Sequence, residues 1–220
     1  MILELINIFD PPFVEEVSKK PIANYVEGVD FVVNHEDDST ALGNYVDDVL
    51  KQKLKQPMWN AAFKIHVPPA LAKYKKDYRN CDKAQADKEI KGLDITLTTE
   101  QLLYHGGVLN IADGAQTLTP LSTTFNPLVA FVEAKDRGKA FDAGVVHINI
   151  LKIVNNQIKV YPYKFQNTLG HEDEVLLEAG VTLRRTKMTK ICNKYSVCTY
   201  HKGEMPRKDV EVYVVEWNVT

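Results

Sequence analysis

The chain has 220 residues, 45% of them hydrophobic, with a formal net charge of -2 at pH 7. That length suffices for one large core, or a core with an appended subregion, and the balanced charge supplies no basic field of the kind that draws nucleic acid. Cys81, Cys192 and Cys198 form no CxxC pair, which favours reduced thiols over a disulfide frame or a zinc site.

The apolar start, Met1 to Phe9, lacks a basic residue and runs into Asp10-Pro11-Pro12. It reads as neither a signal peptide nor a membrane span, and a cytoplasmic protein is expected. The first ninety or so residues read as helical. Asp10 can cap a helix with Pro11 at its first position and Glu15 and Glu16 in its early turns. A stronger helix begins at Ser39 or Thr40, where Leu42, Tyr45, Val46, Val49, Leu50 and Leu54 recur at helical spacing until Pro57. Trp59, Ala62 and Phe63 suggest a short helix broken at Pro68-Pro69. Another follows from Ala70, with Leu71, Tyr74 and Tyr78 facing inward. Lys73, Lys75, Lys76 and Arg79 lie among those tyrosines. A basic helix with aromatics can touch phosphate, but the favoured reading is a solvated face.

The pattern changes near Gly92, placing a helical region at 1–94 and a strand-rich core at 95–220. Val145 to Leu151, Gln157 to Tyr161 and Val210 to Val215 are β-branched or alternating runs. Asn155-Asn156 lies between the first two and suggests a hairpin. One helix, roughly 126 to 139, interrupts the strands and begins at Pro127. Helices followed by strands argue for an α+β fold.

Three short segments carry the functional signal. Tyr104-His105-Gly106-Gly107, Ser122-Thr123-Thr124-Phe125 and Gly170-His171-Glu172-Asp173-Glu174-Val175 each lie in, or at the end of, a predicted strand. Alternation would put Glu172 and Glu174 on one face and Asp173 on the other. Two acids held so close need a cation between them, or one is retained for chemistry. Each segment alone is ordinary, as a turn, a strand end or a solvated edge; their order and spacing are specific. The remaining histidines, His35, His66, His147 and His201, show no metal-ligand spacing, so no metal is expected.

In that order and spacing, residues 95 to 220 resemble the mono-ADP-ribosyltransferases. Their Arg-Ser-Glu group carries an aromatic-Arg-Gly strand, a Ser-Thr-Ser strand and a Glu/Gln-x-Glu motif. Here Leu103-Tyr104-His105-Gly106, Ser122-Thr123-Thr124 and Glu172-Asp173-Glu174 stand in those places. The helical N-terminal part is similar to that of bacterial exoenzymes and phage enzymes that modify host proteins. His105 departs from the pattern, and resembles the His-Gly of the diphtheria-toxin and poly(ADP-ribose) polymerase group, where the His binds a ribose. Arg grips phosphate through a rigid fork, whereas neutral His offers one donor and one acceptor, suited to a sugar hydroxyl.

The resemblance implies a β-sandwich-like core of two antiparallel sheets with NAD as the substrate. It implies that Glu174 is the catalytic acid, steadied by Ser122, and that His105, Gly106, Tyr104 and Thr123 line the NAD site. Breaking the nicotinamide–ribose bond builds positive charge on the sugar, as in glycoside cleavage, and a positioned carboxylate stabilises that charge. A Glu at 172 resembles arginine-modifying members, because a carboxylate can pair with a guanidinium and take its proton. The implied partner is then a target protein with an acceptor arginine, a host-cell protein among the candidates. Phe165, in the segment before the acids, would recognise that target or serve as a buried strand-end residue. Arg137 would supply phosphate charge or simply end its helix as a favourable cation. NAD hydrolysis, another acceptor side chain, a nucleic-acid acceptor and a non-catalytic binding module on the same fold remain alternatives.

Overall fold

The computed structural model describes residues 1–16, 19–35, 39–53, 55–163, 173–200 and 203–220. Ile2–Leu3 forms β1, and Phe13–Val14 (β2) pairs antiparallel with Pro21–Ile22 (β3). The helix expected from Asp10 and Pro11 does not form; Phe13 lies opposite Ile22 instead, an extended pairing that suits aromatic and β-branched side chains. The first helix is α1, Tyr25–Asn34, which the periodicity reading did not single out. Asn24 caps it by accepting from the Glu27 N–H at 3.0 Å, while Glu27 accepts from the Ala23 N–H at 2.8 Å. That reciprocal exchange is a variant of the capping box.

The expected helix at Ser39 is α2, Ser39–Lys53, which buries Leu42, Val46, Val49 and Leu50; Leu54 lies outside the described residues. Pro57–Ala62 (α3) buries Trp59. Pro69–Lys76 (α4) buries Leu71 and Tyr74, but Tyr78 falls beyond its end and is exposed rather than inward-facing. Lys83–Leu93 (α5) follows, capped by the Asp82 carboxylate. No described helix is long and apolar enough to cross a membrane.

The remaining elements are Thr96–Leu97 (β4, parallel to β1), Leu102–Gly106 (β5), Leu121–Thr124 (β6) and Pro127–Lys135 (α6). After a turn of 3-10 helix at Asp136–Gly138 come Lys139–Ala143 (α7) and Val145–Ile153 (β7). Val160–Pro162 (β8), Glu174–Leu177 (β9), Leu183–Cys198 (β10) and Arg207–Val219 (β11) complete the elements of the described residues. The helix expected to reach 139 stops at Lys135, because Arg137 and Gly138 take left-handed conformations at φ 53° and 77°.

The α+β class is as expected, but the sheet arrangement differs. Among the described residues, seven strands form one hydrogen-bonded sheet in the order β10-β11-β7-β5-β6-β9-β8, rather than two separate antiparallel sheets. It is mixed, since β11 runs parallel to β7. Its four-strand and three-strand halves meet through a single residue pair, Tyr104 opposite Thr124. The hairpin expected around Asn155-Asn156 is also absent: β7 pairs with β5 and β11, while β8 pairs with β9 at the far edge. The turn redirects the chain to another part of the sheet, a long-range choice that local turn chemistry does not encode.

One buried cluster runs from Leu3 to Val219 and joins the N-terminal helices to the strands. A second, of Leu71, Tyr74, Ala86, Ile90, Tyr161, Tyr163 and Leu176, packs α4 and α5 against β8 and β9. The second cluster puts a helix of the N-terminal region directly against the strand that begins with Glu174.

Candidate functional site

Strand pairing brings the sequence segments together. Glu174 lies opposite Thr124, and Ser122 lies opposite Leu176, so Ser122 and Glu174 are diagonal neighbours on adjacent antiparallel strands. The Ser122 hydroxyl donates to Glu174 Oε1. One residue ahead, Asp173 stands at φ 47°, outside the strand, so period-two alternation does not extend through it. Its side chain takes a different direction from that of Glu174, toward Asp47 and Asn126. Burial, and then the Asp47 carboxylate, push the Asp173 carboxyl up to about 8.

The other Glu174 oxygen, Oε2, accepts from the Lys75 ammonium at 2.5 Å. Both side chains are nearly out of water, 11% exposed for Lys75 and 5% for Glu174. Lys75 also lies 5.4 Å from the centre of the Tyr163 ring. It was expected on a solvated face, yet it occupies the buried stripe of α4. The signal was present: Lys75 follows Leu71 by four residues, on the same helical face as Leu71 and Tyr74. Tyr163 completes this wall. Its N–H donates to the Glu174 carbonyl at 3.0 Å and its hydroxyl to the Leu71 carbonyl at 2.8 Å.

His105 closes the arrangement from β5. Its Nδ1 lies 2.8 Å from the Ser122 carbonyl oxygen. A carbonyl only accepts, so Nδ1 carries the proton. Burial holds the imidazole pKa below its ordinary value, so the ring is neutral and Nε2 keeps its lone pair. The one donor of the ring is spent inside the protein, and the acceptor remains for a hydroxyl.

Gly106 is required for packing as well as for access. A Cβ there would sit 1.9 Å from the Ala130 carbonyl oxygen of α6, so no side chain fits. The Gly107 N–H donates to the His147 carbonyl, and the ladder register runs from there through His105 opposite Asn149. Hydrogen-bonded pairs alternate along an antiparallel ladder, which turns the N–H and C=O of Gly106 away from β7. Asn149 fixes this strand end. Its side-chain amide, fully buried, donates to the His105 carbonyl at 3.1 Å and the Gly107 carbonyl at 2.7 Å, and accepts from the Trp217 indole at 2.9 Å. Sequence reasoning missed Asn149 and Trp217; a lone polar residue in the β-branched run of β7 was the available hint.

Tyr104 and Thr123 sit elsewhere. The Tyr104 ring is fully buried and its hydroxyl donates to the Tyr25 carbonyl at 2.9 Å, leaving only its backbone near the site. The Thr123 side chain is buried and donates to the Val175 carbonyl, stitching β6 to β9. Arg137 is 73% exposed and reaches its neighbour Asp136 at 3.2 Å. Glu172 and Phe165 lie outside the described residues. Among the described residues no group of three or more His, Cys, Asp or Glu side chains is arranged to hold a metal.

No protein-family model matches the chain, and no curated protein sequence matches it. Solved structures similar to it include BECa, an ADP-ribosylating toxin of a binary enterotoxin of Clostridium perfringens, at 14% identity and a TM-score of 0.36 over 90% of this chain. This chain spans about half of that one, 49% of its length. Vis toxin, an ADP-ribosyltransferase from Vibrio splendidus, is 15% identical with a TM-score of 0.37, covering 92% of this chain and 88% of its own. C3larvin toxin, an ADP-ribosyltransferase from Paenibacillus larvae, is 12% identical with a TM-score of 0.35, covering 90% and 88%. At such distances the likeness bears no functional weight, and what the site can do is read from its own residues.

Proposed function

We propose that this chain is an NAD-dependent mono-ADP-ribosyltransferase that moves ADP-ribose from NAD to an arginine of a target protein. The observation that supports it is the contact of three motifs from distant parts of the chain, Glu174 bonded to Ser122 and His105 bonded to the Ser122 carbonyl. The residues suit the ligand's chemistry. A neutral His105 presents Nε2 as an acceptor to a ribose hydroxyl, and Gly106 turns a bare N–H and C=O outward, matching the donor and acceptor of a carboxamide. Glu174, oriented by Ser122, provides negative charge against a sugar that becomes cationic.

In the reaction, the bond between ribose C1′ and the nicotinamide nitrogen breaks, and its electron pair leaves with neutral nicotinamide. A guanidine nitrogen bonds to C1′ from the acceptor side, and its proton passes to the Glu172 carboxylate. Phe165, in the same segment, is assigned to target contact. The decisive experiment incubates the protein with NAD labelled in its adenylate half and a cell lysate, beside the Glu174→Gln variant. A labelled protein band that depends on Glu174 supports transfer. Nicotinamide release with no labelled acceptor would assign the reaction to water, and equal nicotinamide release by the variant would remove Glu174 from the chemistry.

A further inference from the structure

Both oxygens of Glu174 are engaged by side chains of the protein: Oε1 by Ser122 and Oε2 by the Lys75 ammonium. Any hydroxyl or cationic sugar arriving at Oε2 meets Lys75 first. An ammonium at hydrogen-bond distance also offsets the negative field that a developing cation requires. For Glu174 to act on a sugar, Lys75 has to release it.

We propose that Lys75 is a displaceable latch on Glu174, holding the carboxylate in the ligand-free protein and transferring to the diphosphate of the incoming dinucleotide. The latch rests on the reading of Glu174 and NAD given above, and concerns how that site is regulated. Three features carry it. First, a buried ion pair contributes little net stability, because desolvation of both charges offsets their attraction, so exchange for another anion is not strongly opposed. Second, the helix under Lys75 is held while the side chain is long and flexible. Pro69 starts α4, and the Glu89 carboxylate accepts from the Ala70 and Leu71 N–H groups at 3.2 and 3.0 Å. A four-carbon stem on such a fixed base can change partners without moving the backbone. Third, His105, its Nδ1–H committed to the Ser122 carbonyl, is a neutral ring that gives a diphosphate no positive charge. In NAD the diphosphate is joined to the same ribose that Glu174 would contact, so one ligand presents both the new anion for Lys75 and the new partner for Glu174. A ligand shifts such an equilibrium only through its differential affinity for the two arrangements, and the diphosphate supplies that difference.

NAD affinity, measured by isothermal titration calorimetry on four proteins, tests the latch without relying on turnover. These are the wild type, Glu174→Gln, Lys75→Met and the double variant, which lacks both charges of the pair. Glu174→Gln removes the negative charge that the ammonium meets at this contact, and is expected to bind NAD about fivefold more tightly or better, the lower end of ordinary coupling between sites. Lys75→Met is expected to bind about fivefold more weakly. In the Lys75→Met background the Glu174→Gln change should no longer tighten binding. The latch is overturned if Glu174→Gln changes affinity by the same factor in both backgrounds, or if Lys75→Met binds NAD as the wild type does. A wild-type protein that takes up no NAD overturns the use of NAD itself, whereas firm NAD uptake with purely additive variants overturns the latch alone.

Discussion

His105 is decided by a single proton. With Nδ1–H committed to the Ser122 carbonyl, the ring can serve a ligand only as an acceptor at Nε2. Replacing it with alanine removes one hydrogen bond to a hydroxyl, so NAD affinity should fall about three- to tenfold, read by calorimetry. Unchanged affinity would show that this strand does not meet the ligand. Ser122→Ala removes the hydroxyl that donates to Glu174 Oε1 and so one of the contacts that orient the carboxylate. We expect kcat for nicotinamide release to fall by about one to two orders of magnitude with KM little changed, the pattern of an interaction that matters in the transition state. An equal change confined to KM would reduce Ser122 to ground-state binding. Ser122, His105 and Glu174 were legible because each sits in a short motif whose residue types have few other uses together. Lys75 was not, since its partner lies 99 residues away and a lysine-rich helix usually faces water.

Elements were read well where they carry their own stop signals and poorly where the partner decides. α2 shows an unbroken apolar stripe, and α3, α4 and α6 start at prolines, so their positions followed from local chemistry. Around Asn155 the turn itself is real, because the Asn155 side chain accepts from the Gln157 N–H at 2.9 Å. The partners of β7 and β8 are set instead by β5, β11 and β9, which no local pattern specifies. The cap of α4, unlike its starting proline, is long-range: its N-terminal N–H groups are capped by Glu89 from α5 rather than by a residue of its own segment. Glu89→Ala should therefore lower stability by about 0.5–2 kcal/mol, the usual range for a lost cap. Because α4 carries Lys75, the variant should also raise amide hydrogen exchange across residues 70–76 more than across α2. Uniform exchange in both helices would mean that the cap does not hold α4 in place.

At the scale of the whole molecule, the N-terminal helices and the strands are joined by a pair of acids as well as by the shared core. Asp47 on α2 and Asp173 just before β9 come together, with the Asn126 amide donating to Asp47 at 3.4 Å, and the Asn126 amide and the Lys51 charge both favouring the ionised form of Asp173. Asp173 Oδ2 is buried with no hydrogen-bond partner among the described residues, as suits a carboxyl that keeps its proton. Its pKa in the folded protein is raised to about 8 from an ordinary 3.8, mainly by burial and secondly by Asp47. The folded state thus holds a proton that the unfolded chain gives up above pH 4. Stability from this group is complete below the unfolded value and is lost as pH rises toward 8, with a slope of at most about 1.4 kcal/mol per pH unit for one proton. Asp173→Asn keeps the shape and cannot ionise. Thermal melts from pH 5 to 9 should show the wild type losing Tm toward the alkaline end while the variant stays flatter, so that the variant is the more stable protein at pH 9. Parallel curves would mean that Asp173 titrates normally. The residue that changes charge here directly precedes Glu174, so the same titration should disturb the carboxylate next to it, and kcat measured above pH 8 should fall in the wild type before it falls in Asp173→Asn.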